Sequence, residues 1–451
     1  MTQPILYSSA YVLPVAAPPI RNGAVLVGLD GCIAAVGPLA AIEYPEGTEV
    51  VDLGEAVLLP GLVNVHAHPE LAFFRGALEE LNFRDWILRL VGAKRAALQD
   101  GDYDLAARWS CVEMLRAGIT TVGATEESGA AFGALLEAGM RGVVYLEALA
   151  PDPCRADAAL ATLRQTVAEM RSRETDRVRV GVSPHAPFTV SDALFASVAE
   201  YALAEGLPLA IHAAESRAER ELVTRGAGDF APGLQARGIA TPVRGRSTVA
   251  MLERLGVLRA RPMLIHSVDV DGEDIRLMAD TGCTVAHCPI ANARLGHGIA
   301  PYGALRAAGI PVGLGTDGVG SNNRLDLLEE ARVASLLQRA AHHAADLLPA
   351  DELLRLCTLE GARALGMEDR IGTLEPGKQA DLCAVSLAAA HVRPVHDPVA
   401  ALFHAARGTD VVITVVAGRE VYRNGVVRTL DEPALATAVT EGAERLRGAL
   451  A

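Results

Sequence analysis

What the chain lacks narrows the field first. No apolar run approaches the roughly 18 residues that a bilayer-spanning helix needs, so a membrane-spanning protein is not expected. The opening "MTQPILYSSAYVLP" has neither the basic region nor the apolar core of a secretory signal, and the expectation is a cytoplasmic protein. The seven cysteines include no C-x-x-C pair and are odd in number, which argues against a disulfide framework and for free thiols in a reducing compartment. An excess of positive charge is missing too. At a net charge of −14 the chain is ill suited to a nucleic-acid backbone or an anionic membrane, and a small-molecule substrate is the expected partner. Whether copies of the chain form a homo-oligomer is left open.

The 451 residues, 50% hydrophobic and 21% charged, suffice for one large domain and a smaller one. Eight β-rich runs recur: "LVNVHAH" from Leu62, "ITTVGAT" from Ile119, "GVVYLEA" from Gly142, "VRVGVSPHAP" from Val178, "LPLAIHAAE" from Leu207, "PMLIHSV" from Pro262, "CTVAHCP" from Cys283 and "PVGLGTDG" from Pro311. Each is followed by an Ala/Leu/Arg/Glu-rich stretch of helical composition. That is the texture of parallel strands joined by crossover helices, and eight such units are what a TIM-like (β/α)8 barrel requires. Residues 1 to about 58 and about 370 to 430 differ. Turn pairs such as "DG", "PEG", "PGK" and "NG" separate short Val/Ile runs there, the pattern of antiparallel β.

In "LLPGLVNVHAHPE", His66 and His68 are two apart, so in a strand they share one face, a geometry that suits two ligands on one metal ion. One buried histidine beside one solvated histidine would read the same way, so the rest of the chain must decide. Active sites of such barrels lie at the carboxyl ends of the strands. Strand four ends at His185, strand five at His212 with Glu215 three residues on, strand six at His266 and strand eight at Asp317. Five histidines and two carboxylates meeting in one mouth are hard to explain as separate structural accidents.

These residues carry a resemblance to the amidohydrolase superfamily, spread over nearly the whole chain: "PGLVNVHAH", "HAAES", "LIHSV", "HCPIANARLG", "GLGTDG" and "GTLEPGKQADL". The resemblance implies a barrel at 59–369 with a β-sandwich built from 1–58 and 370–451, the latter ending in a helix. It implies one divalent ion held by His66, His68, His212 and Asp317, with Glu215 as proton shuttle, His266 stabilising developing charge, and Asp317 also accepting a hydrogen bond from the attacking water. Three imidazoles and a carboxylate suit Zn2+, with Fe2+ second, and leave a position for water. Two-metal relatives often carry a carbamylated lysine on strand four, and "VRVGVSPHAP" has none, so one ion is expected.

Within the superfamily, "HAAES", "SPHAP" and "TDGVGSNN" resemble the branch that hydrolyses the amino group of adenine nucleosides, with methylthioadenosine, S-adenosylhomocysteine, adenosine or aminodeoxyfutalosine as substrates. A deaminase of another purine, pterin or pyrimidine ring, a chlorohydrolase or amidase, and a metal-binding protein that has lost catalysis are the alternatives. His185, Trp86 and Arg95 are the expected substrate contacts. Arg95 stands where that branch usually has a ribose-binding glutamate, and with Lys94 it would suit the benzoate of aminodeoxyfutalosine. His297 is a candidate for the pocket edge. His287 with Cys288 reads as structural, His342 and His343 as solvated, and Glu329 with Glu330 as an acidic helix face.

Overall fold

The computed structural model describes residues 3–99 and 101–450. Strands β1 (Ile5–Val12), β2 (Ile20–Val27), β3 (Ile33–Pro38), β4 (Glu49–Asp52) and β5 (Ala56–Pro60) precede β6 (Leu62–Ala67), β7 (Ile119–Glu126), β8 (Arg141–Ala148) and β9 (Val178–Pro184). Then come β10 (Ala210–Ala213), β11 (Met263–His266), β12 (Thr284–His287), β13 (Val312–Leu314), β14 (Leu382–Ser386), β15 (Val411–Val416), β16 (Arg419–Arg423) and β17 (Val426–Val427). All eight β-rich runs of the middle region are strands, β6 to β13.

Those eight form two parallel four-stranded sheets, β6-β7-β8-β9 and β10-β11-β12-β13. Every residue of β6 and β7 is buried, which is why their sequences read as near-continuous apolar runs: parallel strands are covered on both faces. The two sheets adjoin at both edges. Val182 bridges Leu209, and the His212 amide donates to the His185 carbonyl at 2.9 Å. At the other edge the Asp317 amide donates to the His66 carbonyl at 3.0 Å and the Asn64 side chain accepts from the Thr316 amide at 3.0 Å.

The first and last segments of the chain join one nine-stranded sheet in the order β17-β16-β15-β14-β5-β1-β2-β3, with β4 beside β1. The seam is β5 against β14, antiparallel, with Leu382 opposite Pro60. β5 therefore carries this sheet to Pro60, two residues past the limit of 58 drawn from sequence texture. A buried ion pair ties this sheet to the parallel strands: Arg141, which opens β8, donates to Asp381 from Nε at 2.8 Å and from Nη2 at 3.1 Å. The C-terminal helix, Glu432–Leu450, packs Gly442 against Phe73, where even a Cβ would lie 2.4 Å from the ring. Among the described residues no helix is long and apolar enough to cross a membrane, and all seven cysteines are free.

Candidate active site

The carboxyl ends of β6, β9, β10 and β11, and the turn after β13, bring His66, His68, His185, His212, His266 and Asp317 together. The backbone bends sharply there: Ala214, His266, Ser267 and Asp317 have φ of 52°, 72°, 47° and 57°. Non-glycine residues rarely adopt positive φ, and such strain persists where the surrounding structure dictates side-chain direction. Gly315, two residues before Asp317, is needed for the close approach of this turn to β6, because a Cβ on it would sit 2.8 Å from the His66 Cβ.

His66, His68 and Asp317 offer ligand atoms that all lie within 4.8 Å of one another, and His212 adjoins them through His68. His66 Nε2 and His68 Nε2 lie 3.4 and 3.5 Å from Asp317 Oδ1, and His68 Nε2 lies 3.3 Å from His212 Nε2. For metal–ligand distances of about 2.0–2.1 Å the edge of a ligand tetrahedron is about 3.3–3.4 Å, so these separations are those of a divalent-ion site. The donors are in the right state as well. Burial lowers His66 to about 4 and takes His212 well below the usual imidazole value, so both offer a lone pair at neutral pH. Burial acts to raise Asp317, yet the adjoining His66 imidazole, with His68 and His266, holds it well below the usual carboxylate range. His66 Nε2 is buried and has no hydrogen-bond partner among the described residues. The residues present fit a metal ion.

Beside this group stands Glu215, buried, with Oε1 3.5 Å from His266 Nε2 and 3.3 Å from His297 Nε2. Burial acts to raise its carboxyl, while the His266 and His297 imidazoles beside it hold it below the usual range. His266 is oriented from behind, its Nδ1 lying 2.9 Å from Asn292 Oδ1. The turn carrying Glu215 is pinned by Glu219, which accepts from the Ala214 and Glu215 amides at 2.7 and 3.2 Å and from the Thr248 hydroxyl. Burial pushes Glu219 up to about 7.

His185 lies on the far side of His212, ring centroids 4.7 Å apart, its Nδ1 2.7 Å from the Thr189 hydroxyl. Next to it is a carboxylate that sequence reading missed: Glu147, at the end of β8. Its Oε1 is 3.7 Å from His185 Nε2 and 3.9 Å from His212 Nδ1, and has no hydrogen-bond partner among the described residues. Burial, with the charges of Glu127 and Glu70, pushes that carboxyl well above the usual range. Also missed was an aromatic wall. Phe188 stacks on Phe230 at 4.3 Å and 7°, Phe83 stands edge-on to both, and Phe83 meets His297 at 4.4 Å. "NFRDWI", "SPHAPF" and "GDF" each held one of these rings, but nothing in any one segment joined it to the others.

Trp86 is buried beside Phe83 and donates from Nε1 to the Gly320 carbonyl at 3.2 Å, in the loop after Asp317. Arg95 is the expected cationic substrate contact. It lies on the outer face of the helix Phe83–Ala97, exposed, with no hydrogen bond or ion pair among the described residues. Lys94 is the inward neighbour, bonded to Glu70 at 2.9 Å and to Glu127 at 3.1 Å. Burial opposes its charge, but those two carboxylates raise its pKa overall. Glu330, far from lying on a solvated face, is buried and accepts from the Ile290 amide and from Asn322 Nδ2, which also donates to the Thr316 carbonyl beside Asp317. His342 and His343 are exposed. His287 is buried with both ring nitrogens unpartnered among the described residues, and Cys288 reaches the Ala286 carbonyl instead of His287.

An α/β fold of parallel strands whose carboxyl ends gather histidines and an aspartate at metal-ligand spacing defines a class of hydrolase. The chain belongs to the amidohydrolase family, whose profile matches residues 57–421. It is 34% identical over 446 residues to a 5-methylthioadenosine/S-adenosylhomocysteine deaminase of Moorella thermoacetica, covering 97% of this chain and 98% of the relative. It is 36% identical over 431 residues to the enzyme so named from Syntrophobacter fumaroxidans, covering 94% and 92%. Among solved structures it superposes on an adenosine deaminase of Xanthomonas campestris with bound zinc, with a TM-score of 0.87, 29% identity and 98% of each chain covered.

Proposed function

We propose that this chain is a metal-dependent hydrolytic deaminase of 5′-substituted adenosines, methylthioadenosine and S-adenosylhomocysteine first among them, converting adenine to hypoxanthine with release of ammonia. The observation that carries the reading is the convergence of His66, His68, His212 and Asp317 at ligand spacing with the Glu215 carboxylate beside them. The relatives supply the direction: two of them, similar over nearly their whole length, bear that deaminase name. We read the two adjoining parallel sheets as one closed (β/α)8 barrel and the nine-stranded sheet as a second, structural module built from both termini.

His66, His68, His212 and Asp317 would hold one divalent ion, with Zn2+ the first choice and Fe2+ the second. Bound there, such an ion supplies Lewis acidity and brings the ionisation of a water toward neutral pH. Glu215 would take one proton from the attacking water and give it to the ring nitrogen, then take the second from the hydroxyl added at C6 and give it to the departing amine, which is general acid–base work. His297 and His266 hold the Glu215 carboxyl from two sides. His266, fixed through Asn292, also presents Nε2 where negative charge grows as C6 becomes tetrahedral. Phe83, Phe188 and Phe230 form the apolar wall against which a purine would lie, and His185 is the polar contact on the sugar side.

The test is ammonia release from methylthioadenosine, S-adenosylhomocysteine, adenosine and aminodeoxyfutalosine by zinc-loaded protein. The expected outcome is highest kcat/KM for one of the first two. Arg95 is exposed on the outer face of its helix, which weighs against its binding the benzoate of aminodeoxyfutalosine. Turnover of a guanine, pterin or triazine substrate with none of the nucleosides would overturn the assignment.

A further inference from the structure

Three histidines of this site share a pattern. Each turns one nitrogen toward the centre and has the other held by a polar side chain. His66 Nδ1 is 3.1 Å from the Thr125 hydroxyl, His266 Nδ1 is 2.9 Å from Asn292 Oδ1, and His185 Nδ1 is 2.7 Å from the Thr189 hydroxyl. His212 breaks the pattern. Its Nε2 faces His68, so a neutral ring must carry its proton on Nδ1. That Nδ1 is buried without a hydrogen-bond partner among the described residues. A buried N–H left unpaired costs about 1–3 kcal/mol.

One acceptor faces it. Glu147 Oε1, 3.9 Å away, is itself buried and unpartnered. Two orphaned groups of complementary chemistry facing each other, on adjacent parts of the site, are more economically one hydrogen bond than two separate penalties. We infer that Glu147 is the positioning residue of His212: its carboxyl accepts the Nδ1 proton, fixes the tautomer that offers Nε2 to the ion, and sets the angle of the ring. A carboxyl behind a ligating imidazole also makes that imidazole a stronger donor. Glu147 touches neither substrate nor ion, and acts through His212. The inference rests on the metal site proposed above.

A rival partner lies close. His185 Nε2 is 3.7 Å from the same oxygen, and if Glu147 served His185 it would shape substrate binding and leave the ion alone. The experiment separates the two. Wild type, Glu147→Gln and Glu147→Leu are stripped of metal and titrated with Zn2+ against a chromophoric chelator, without substrate, and the Co2+-loaded forms are compared by visible absorption. Leucine removes the acceptor at similar volume, whereas glutamine keeps an acceptor oxygen without the charge. Glu147→Leu should lose about 10–100-fold in metal affinity, the range for removing an outer partner of a ligand, with a changed Co2+ spectrum, and Glu147→Gln should fall between it and wild type. Thr189→Val, which frees His185 instead, should leave affinity and spectrum at wild type. Should Glu147→Leu not fold, the Glu147→Gln affinity and spectrum decide alone. Wild-type affinity and spectrum in the Glu147 variants, with KM alone raised, would overturn the inference and assign Glu147 to His185. A wild-type protein that binds no ion would instead overturn the metal site itself.

Discussion

Strand β8 carries two ionisable side chains six positions apart, Arg141 wholly buried and Glu147 with a buried carboxyl oxygen, and they are treated in opposite ways. Arg141 at its start, 1% exposed, has a bidentate bond to Asp381 and a further bond to the Asp176 carbonyl, and Asp381 in turn accepts from the Ala417 amide. Glu147, next to its end, has an oxygen with no partner. The difference recurs along the neighbouring strands. Their carboxyl ends hold His66 Nε2 and His212 Nδ1 without hydrogen-bond partners among the described residues, beside turns in which Ala214, His266, Ser267 and Asp317 have positive φ. Folding alone would select against such groups, since each unpaired polar atom and each strained residue costs free energy. Their concentration at one end marks a functional site, and the paired charges at the other end are what holds the scaffold rigid beneath it.

The comparison breaks most visibly at Glu215. Glu215→Gln keeps the shape and a hydrogen-bonding group but cannot shuttle a proton, so kcat should fall by about 10²–10⁴ while zinc content and the unfolding midpoint stay at wild type. Steady-state kinetics beside elemental analysis checks this. Wild-type turnover would remove Glu215 from the proton path, and loss of the ion would make it a ligand.

At the opposite end the expected effect is on stability and not on turnover. Asp381→Ala strands the Arg141 guanidinium in the interior, and breaking a buried pair in this way costs about 3–5 kcal/mol. Denaturant unfolding should record that loss, with kcat unchanged when assayed at a temperature where the variant is folded. A large drop in kcat with unaltered stability would mean that the two ends are not separable.

How much of this could be read from the chain follows from where the signal lies. The eight parallel strands were legible because strands buried on both faces must be apolar throughout, and the ligand histidines and Asp317 because each interrupts such a run at its end. Glu147 also ends a run, but a lone glutamate in "GVVYLEA" has no partner nearby in sequence, and its meaning comes from His212, 65 positions later. The pairing of β5 with β14 spans more than three hundred residues and leaves no local trace beyond antiparallel texture.

The aromatic wall gives a smaller effect. Phe230 is partly exposed and stacked on Phe188, so it can be truncated without opening the core. Phe230→Leu should raise KM for the nucleoside by about 2–10-fold, the equivalent of about 0.5–1.5 kcal/mol for one aromatic contact, and leave kcat nearly unchanged. An unaltered KM would place the purine elsewhere in the mouth.

The smallest effect belongs to Arg95, and it tests the limit of reading a helix without its phase. Two adjacent pairs pose the same problem. Sequence puts Lys94–Arg95 after the first histidine-bearing strand and Glu329–Glu330 on an acidic helix face, but successive residues on a helix point about 100° apart, and composition does not say which one faces in. The fold answers with Lys94, half-buried, and Glu330, buried, each held by named partners, and leaves Arg95 in solvent. Arg95→Ala should therefore change kcat/KM equally little for carboxylated and neutral adenosine derivatives, and alter stability by no more than about 0.5 kcal/mol, as for an ordinary surface position. Lys94→Ala is the contrast, since it strips Glu70 of its cation and unties the helix Phe83–Ala97 that carries Phe83 and Trp86. A selective loss on the carboxylated substrate in Arg95→Ala would show that this helix turns when substrate binds, bringing its outer face to the mouth of the site.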